Sequence, residues 1–197
     1  MKIYDISQEV FDCTVFPGDP KPDRIIASSM KDGSPYNLTS LHMCAHNGTH
    51  VDAPYHFIND GKKIDELDLH KLIGPCYVYF KDGKLEANEA EDIIKKAESI
   101  DVECAKRLLF KGKTVVTEEA AKVFAAYNVS LIGNESQTVG PEDAPMNVHL
   151  ILLAKEVVLL EGIRLAQVPE GRYILNAAPI NLGGSDGAPC RAILLDI

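Results

Sequence analysis

The four consecutive apolar residues Val157-Val158-Leu159-Leu160 constrain this chain most. In a strand, alternate side chains point to opposite faces, so an unbroken apolar run leaves neither face suited to water. Such a run reads as a central strand covered on both sides. Other strand-length apolar stretches accompany it: Cys76 to Phe80, Arg107 to Phe110, Val129 to Ile132, Tyr173 to Leu175 and Ala192 to Leu195, with the covered strand itself placed at Glu156 to Leu160. Helical patterns fall between them. Thr117 is a good N-cap, followed by Glu118 and Glu119 in the first turn, and its helix is expected to run to Asn128. A second helix is expected over roughly Asn88 to Ser99, with Ile93, Ile94 and Ala97 facing inward, and a short third one after Pro145. Turn signals dominate the first eighty residues, which read as strands and loops. The expectation is an α/β fold, and with no repeat, linker or low-complexity tract, one domain spanning 1–197.

Composition excludes several classes of function. The chain is 46% hydrophobic and 25% charged, an ordinary globular balance. Its net charge of -9, without a Lys/Arg-rich run, lacks the footprint that binding a nucleic-acid backbone requires. The most apolar stretch, His149 to Leu160, is interrupted by Lys155 and Glu156, which argues against a membrane span. The five cysteines are scattered and form no Cys-x-x-Cys pair, so they read as reduced, mostly buried thiols. Met1 leads directly into a strand-like segment, and a cytoplasmic location is the expectation.

Chemistry concentrates in one place. Four of the six histidines (His42, His46, His50 and His56) fall within fifteen positions, beside Asp52. Gly48-Thr49 and Pro54 argue against a helix, and strand periodicity would put His46, His50 and Asp52 on one side, with His56 beyond the turn at Pro54. Imidazole and carboxylate ligands together suit zinc, manganese or iron(II). Any one of these histidines alone could be a hydrogen-bonded core residue. As a cluster they read as a metal site, and a His/Asp set with few protein ligands leaves a position for water and substrate, as catalytic sites do. His149, early in the third helix, and Glu161, at the end of the covered strand before Gly162, are further candidates, since strand carboxyl ends in α/β sheets tend to meet ligands.

The stretch His46-Asn47-Gly48-Thr49-His50-Val51-Asp52-Ala53-Pro54-Tyr55-His56 fits the pattern His-x-Gly-Thr-His-x-Asp-x-Pro-x-His at every specified place. Through it the chain resembles the cyclase-type metal-dependent hydrolases, which include bacterial kynurenine formamidases and isatin hydrolases. The resemblance extends to Asp5-Ile6-Ser7, to Phe16-Pro17-Gly18-Asp19-Pro20, to His149 with Glu161-Gly162, and to the segment from Gly184 to Ala192. It implies a swivelling β/β/α fold, assembled as a homodimer or larger homo-oligomer. It implies that His46, His50 and Asp52 hold one metal ion and that Asp52, His149 and Glu161 help hold a second, with Asp52 and Glu161 bridging. The ion would be Zn2+, or alternatively Mn2+. His56 would donate and accept protons, Glu161 would belong to the catalytic set, and Phe16 would line the substrate pocket.

The activity implied is hydrolysis of an aryl formamide such as N-formylkynurenine to kynurenine and formate. Rival readings are hydrolysis of a cyclic amide or imide such as isatin, a cyclodehydration enzyme, and a non-catalytic metal-binding scaffold. The sequence departs from the pattern in two places. Lys111-Gly112-Lys113 stands where the family often has Thr-Gly-Trp, and Gly133-Asn134-Glu135-Ser136-Gln137-Thr138 where formamidases commonly show Gly-x-Asp-x-x-Ser. Both departures are expected on the substrate side of the site.

Overall fold

A computed structural model describes residues 1–197. Thirteen strands and three α-helices follow one another along the chain. The strands are β1 (Lys2–Asp5), β2 (Asp23–Ser28), β3 (Leu38–His42), β4 (His50–Asp52), β5 (Ile73–Phe80), β6 (Gly83–Leu85), β7 (Arg107–Lys111), β8 (Thr114–Val116), β9 (Leu131–Asn134), β10 (Val158–Glu161), β11 (Gly171–Asn176), β12 (Gly187–Pro189) and β13 (Ile193–Asp196). The helices are α1 (Ala87–Ile100), α2 (Glu118–Ala126) and α3 (Met146–Leu153). No α-helix precedes Ala87, in keeping with the turn-rich first part of the sequence.

Nine strands form one mixed sheet in the order β1-β13-β11-β5-β7-β9-β10-β4-β12. Its centre, β5-β7-β9-β10, is parallel, and the helices α1, α2 and α3 lie in the connections between these strands. The flanks are antiparallel: β11, β13 and β1 on one side, β4 and β12 on the other. Side chains from both flanks, such as Val51 of β4, Ala188 of β12, Tyr173 of β11 and Leu194 of β13, share one core. They can do so only because the sheet curls into a half-barrel. The opposite face carries the helices.

The run at 157–160 behaves as its pattern predicts. Val157 and Leu159 join the helix-side core, Val158 and Leu160 the core inside the curl, and all four are fully buried. Each contributes about 1.5–3 kcal/mol relative to an exposed side chain. The strand starts at Val158, two residues later than expected, because Glu156 adopts φ 55 in the turn that leaves α3.

Helix α1 buries Ala90, Ile93, Ile94 and Ala97, one stripe at helical spacing. Thr117 caps α2 by accepting a hydrogen bond from Ala120 N at 3.2 Å. That helix stops at Ala126 rather than Asn128, since Asn128 takes a left-handed conformation (φ 53) that reverses the chain. The β2–β3 hairpin stands apart as a two-stranded ribbon, almost wholly exposed, with Ile25, Ile26, Leu38 and Leu41 on its surface. None of the five cysteines is in a disulfide; Cys76 and Cys104 are buried, and Cys13, Cys44 and Cys190 are only half-buried, so the expectation of mostly buried thiols fails for three of them. No helix is long and apolar enough to cross a membrane.

Candidate metal centre and cleft

The site lies on the helix face of the sheet, where β10 ends beside β4. Antiparallel pairing sets His50 opposite Glu161 and Asp52 opposite Leu159. Because alternate residues share a face, His50, Asp52 and Glu161 all emerge on the side where α3 packs. His149 stands in the first turn of α3 and completes the group. His50, Asp52, His149 and Glu161 are each no more than 3% exposed.

The hydrogen bonds of the histidines determine which ring nitrogen faces inward. His50 Nδ1 lies 3.0 Å from Gly48 O, and His149 Nδ1 lies 2.9 Å from Pro145 O. A carbonyl only accepts, so each Nδ1 carries a hydrogen, and each Nε2 faces the centre, where a metal would find it. His50 Nε2 is 3.3 Å from Asp52 Oδ1 and 3.6 Å from Glu161 Oε2. His149 Nε2 is 3.3 Å from Glu161 Oε1 and 3.6 Å from Asp52 Oδ2. Val139 N donates to Glu161 Oε1 at 2.8 Å and steadies that carboxylate.

Strand periodicity misplaces one residue. His46 is not on β4; it occupies the turn before it, because Gly48 takes φ +70 and breaks the extended chain. The turn still returns the ring to the site, with Nδ1 2.9 Å from Asp52 Oδ1. The ring can lie against β12 because Gly187 is there: a Cβ at that position would meet His46 Cε1 at 2.7 Å. His56, in a single 3-10 turn after β4, stacks on His46 with ring centroids 4.0 Å apart. His42 plays no part, being exposed at the end of β3 on the hairpin.

The donor set fits a divalent cation. Asp52 Oδ2 is buried and has no hydrogen-bond partner, an arrangement that costs about 1–3 kcal/mol unless a ligand satisfies the oxygen. Two triads, His46/His50/Asp52 and Asp52/His149/Glu161, each bring one ligand atom per residue within 4.8 Å of the others, and Asp52 belongs to both. The electrostatics agree. Burial disfavours a charged His46, yet the charge of Asp52 and hydrogen bonds to Asp186 and Asp52 push its pKa up to about 11. Burial likewise opposes charge on His149, and Glu161 with Asp52 pushes it up to about 9. Asp52 is held well below the usual carboxylate range: burial works to raise it, but the His46 charge and the hydrogen bonds of His46 and His50 prevail. The buried carboxylates thus draw positive charge to this spot, which a metal ion supplies without protons.

A cleft of about 210 Å3 opens over the group. His46, His50, His56, His149, Glu161 and Phe16 line it, and buried Asp52 lies against four of them, so the fold brings together every site residue read from the sequence. Phe57, which also lines it, went unread in the sequence; Asp19 and Asp186 entered only within stretches of the resemblance, and Gln137 and Thr138, likewise in the lining, only within a segment expected on the substrate side. Asp186 Oδ2 lies 2.8 Å from His46 Nε2 and 3.2 Å from His56 Nδ1, and these hydrogen bonds hold its carboxyl well below the ordinary range. The only sequence signal for Asp186 is that it is the acid within the Gly184 to Ala192 stretch of the resemblance. Of the two departures, Gln137 and Thr138 are in the cleft wall, while Gly112 and Lys113 open onto a second depression that Glu135 and Ser136 of the other departure also line.

Comparison with known proteins agrees with this chemistry. The Cyclase family model matches residues 4–141. Kynurenine formamidase of Salinibacter ruber is 35% identical, with 100% of this chain and 98% of the relative aligned, and that of Bacillus anthracis is 32% identical over 100% and 98%. Among solved structures, a predicted metal-dependent hydrolase from Bacillus stearothermophilus superposes with TM-score 0.78 at 26% identity, covering 98% of this chain and 97% of the other. An isatin hydrolase bound to the product analogue thioisatinate superposes with TM-score 0.84, covering 99% and 92%; at 20% identity it shares the fold. Relatives of this identity along the whole chain, and a family match over most of it, place the protein in the cyclase family of metal-dependent hydrolases.

Proposed function

We propose that this chain hydrolyses the amide bond of an aryl formamide such as N-formylkynurenine, releasing formate and kynurenine. The observation that carries the reading is buried Asp52, whose carboxylate is shared by two ligand triads and keeps one oxygen unpartnered. In this reading His46, His50 and Asp52 hold one ion and Asp52, His149 and Glu161 a second, zinc or alternatively manganese. Bound there, the ions supply Lewis acidity, lowering the pKa of water from about 16 towards about 7 and polarising a carbonyl. Full-length similarity to kynurenine formamidases supports the choice of substrate.

The protein's own groups have separate tasks. His56, which lines the cleft and belongs to neither of those two triads but to a third group with His46 and Asp186, takes a proton from the attacking water and returns it to the leaving nitrogen. Phe16 and Phe57 give the cleft its aromatic surface for the substrate ring. At about 210 Å3 the cleft is smaller than the roughly 300–1,000 Å3 typical of drug-sized ligands, which favours a compact substrate. We take the fold to be the swivelling β/β/α type in one domain spanning 1–197. The exposed apolar hairpin residues Ile25, Ile26, Leu38 and Leu41 support assembly as a homodimer or larger homo-oligomer.

The test is elemental analysis of protein purified without chelator, followed by assay against aryl formamides, cyclic amides such as isatin, and lactones. Bound zinc or manganese with turnover of the aryl formamide is expected. Less than about 0.2 equivalents of any transition metal, with none taken up on reconstitution, removes the metal reading. A loaded protein active only on the cyclic amide moves the assignment to an isatin-type hydrolase, and one inert to the whole panel favours a scaffold.

A further inference from the structure

Asp186 is the one carboxylate that touches both a ligand histidine and the proton-carrying histidine. It stands immediately before β12, whose Gly187 pairs with Asp52 of β4, and its own carbonyl accepts from Ala53 N at 2.9 Å. Its backbone is therefore fixed against the strand that carries His50 and Asp52. A single side-chain oxygen, Oδ2, meets His46 Nε2 at 2.8 Å and His56 Nδ1 at 3.2 Å. An ionised carboxylate only accepts, so both of these ring nitrogens must carry hydrogen.

We propose that Asp186 is a positioning residue that sets the tautomers of His46 and His56 together. With Nε2–H given to Asp186, His46 turns Nδ1 to Asp52, 2.9 Å away, donating to that carboxylate when no metal is bound and offering its lone pair to a metal that takes the place of that hydrogen. With Nδ1–H given to the same oxygen, His56 keeps Nε2 free to exchange protons with substrate. His50 and His149 have their tautomers set by backbone carbonyls of Gly48 and Pro145; His46 and His56 have no such carbonyl and share one acid instead. Free imidazole favours the Nε2–H form, so without Asp186 the His56 ring would lose its proton-accepting nitrogen. The stacking of the two rings at 4.0 Å means that one oxygen can serve both without moving either ring.

The proposal rests on His56 as proton carrier, and its test includes a reading independent of turnover. Two-bond 15N–1H spectra of histidine-labelled, zinc-loaded protein distinguish Nδ1–H from Nε2–H rings. The native protein should show His56 as Nδ1–H and His46 as Nε2–H, and Asp186→Ala should move His56 toward Nε2–H. Zinc affinity should fall about 10- to 100-fold, the usual cost of removing a carboxylate behind a ligand histidine. At saturating zinc, Asp186→Ala should lower kcat about 10- to 100-fold with little change in KM, Asp186→Glu should recover part of the loss, and Asp186→Ala should cost less than about twofold when added to His56→Asn. His56 and His46 tautomers unchanged by Asp186→Ala, or equal losses of kcat in both backgrounds, overturn the proposal. If the native enzyme turns over none of the amides tested, the functional reading fails while the spectra and the zinc titration still decide the role of Asp186.

Discussion

Glu161 ends β10 at the register position opposite His50, and their side chains approach to 3.6 Å across the antiparallel pair. This single pairing joins the histidine-rich segment to the end of the covered strand. Gly162 follows at φ +68, and a Cβ there would come within 2.5 Å of Gly48 O and of Gln8 Nε2. Thr49 Oγ1 also donates to Gly162 O at 2.8 Å. The glycine is what lets the chain turn beneath the candidate metal centre immediately after Glu161.

Replacing that glycine should therefore damage stability and the site together. Gly162→Ala meets a left-handed penalty of about 1–2 kcal/mol and an overpacking cost of about 1–3 kcal/mol. Denaturant unfolding should show a loss in this combined range, and zinc affinity should fall with it as Glu161 shifts. Unchanged unfolding midpoints would show that the surrounding segments yield freely.

Ligand and proton carrier should be separable by mutation. His56→Asn is expected to keep nearly its full metal content and lose about 10² to 10⁴-fold in rate, the usual worth of a positioned general acid or base. His50→Asn, which removes a buried ring whose Nε2 faces both carboxylates, should instead lose metal. Metal analysis and steady-state kinetics on the same preparations check both. A His56→Asn protein that empties as readily as His50→Asn would identify His56 as a ligand.

Phe16 should affect binding of the substrate ring without touching the metal. Phe16→Ala is expected to raise KM for an aryl formamide about 3- to 10-fold, as loss of an aromatic contact does, with metal content unchanged. Formamides with aliphatic chains should show a smaller change. Equal effects on both substrates would place Phe16 outside the ring-binding surface.

Stability of the metal-free protein should fall as pH rises. His149 and His46 have folded pKa values of about 9 and about 11 against an unfolded value near 6.5, so the folded state binds these protons more tightly. Their contribution is complete below about pH 6.5 and is lost as pH climbs through 9 and then 11. Thermal melts between pH 7 and pH 10 should show Tm declining for the metal-free protein and changing much less for the zinc-loaded one, in which metal replaces the protons. Parallel declines in the two forms would contradict this.

Much of this was legible because its causes are local. The burial of 157–160 on both faces and the stripe of α1 are written in their side-chain alternation, and the ligand residue types reveal their chemistry wherever they stand. What depended on particular backbone angles was harder to read. Gly48 at φ +70 takes His46 off the strand, and Glu156 at φ 55 delays β10, while nothing in the identity of either residue dictates those values. Asp186 is more distant still. It reaches His46 and His56 only through the pairing of the three-residue strands β12 and β4, too short to carry a readable pattern.

The pairing of β4 with β10 also bears on how the protein folds. Roughly a hundred residues separate His50 from Glu161, including most of the parallel sheet and all three α-helices, so the Asp52/His149/Glu161 group, unlike the local His46/His50/Asp52 group, exists only after that long loop has closed. A metal held by Asp52, His149 and Glu161 would therefore not nucleate folding as it does in small zinc modules. Bound at that triad it would act as a clasp, slowing unfolding more than it speeds folding.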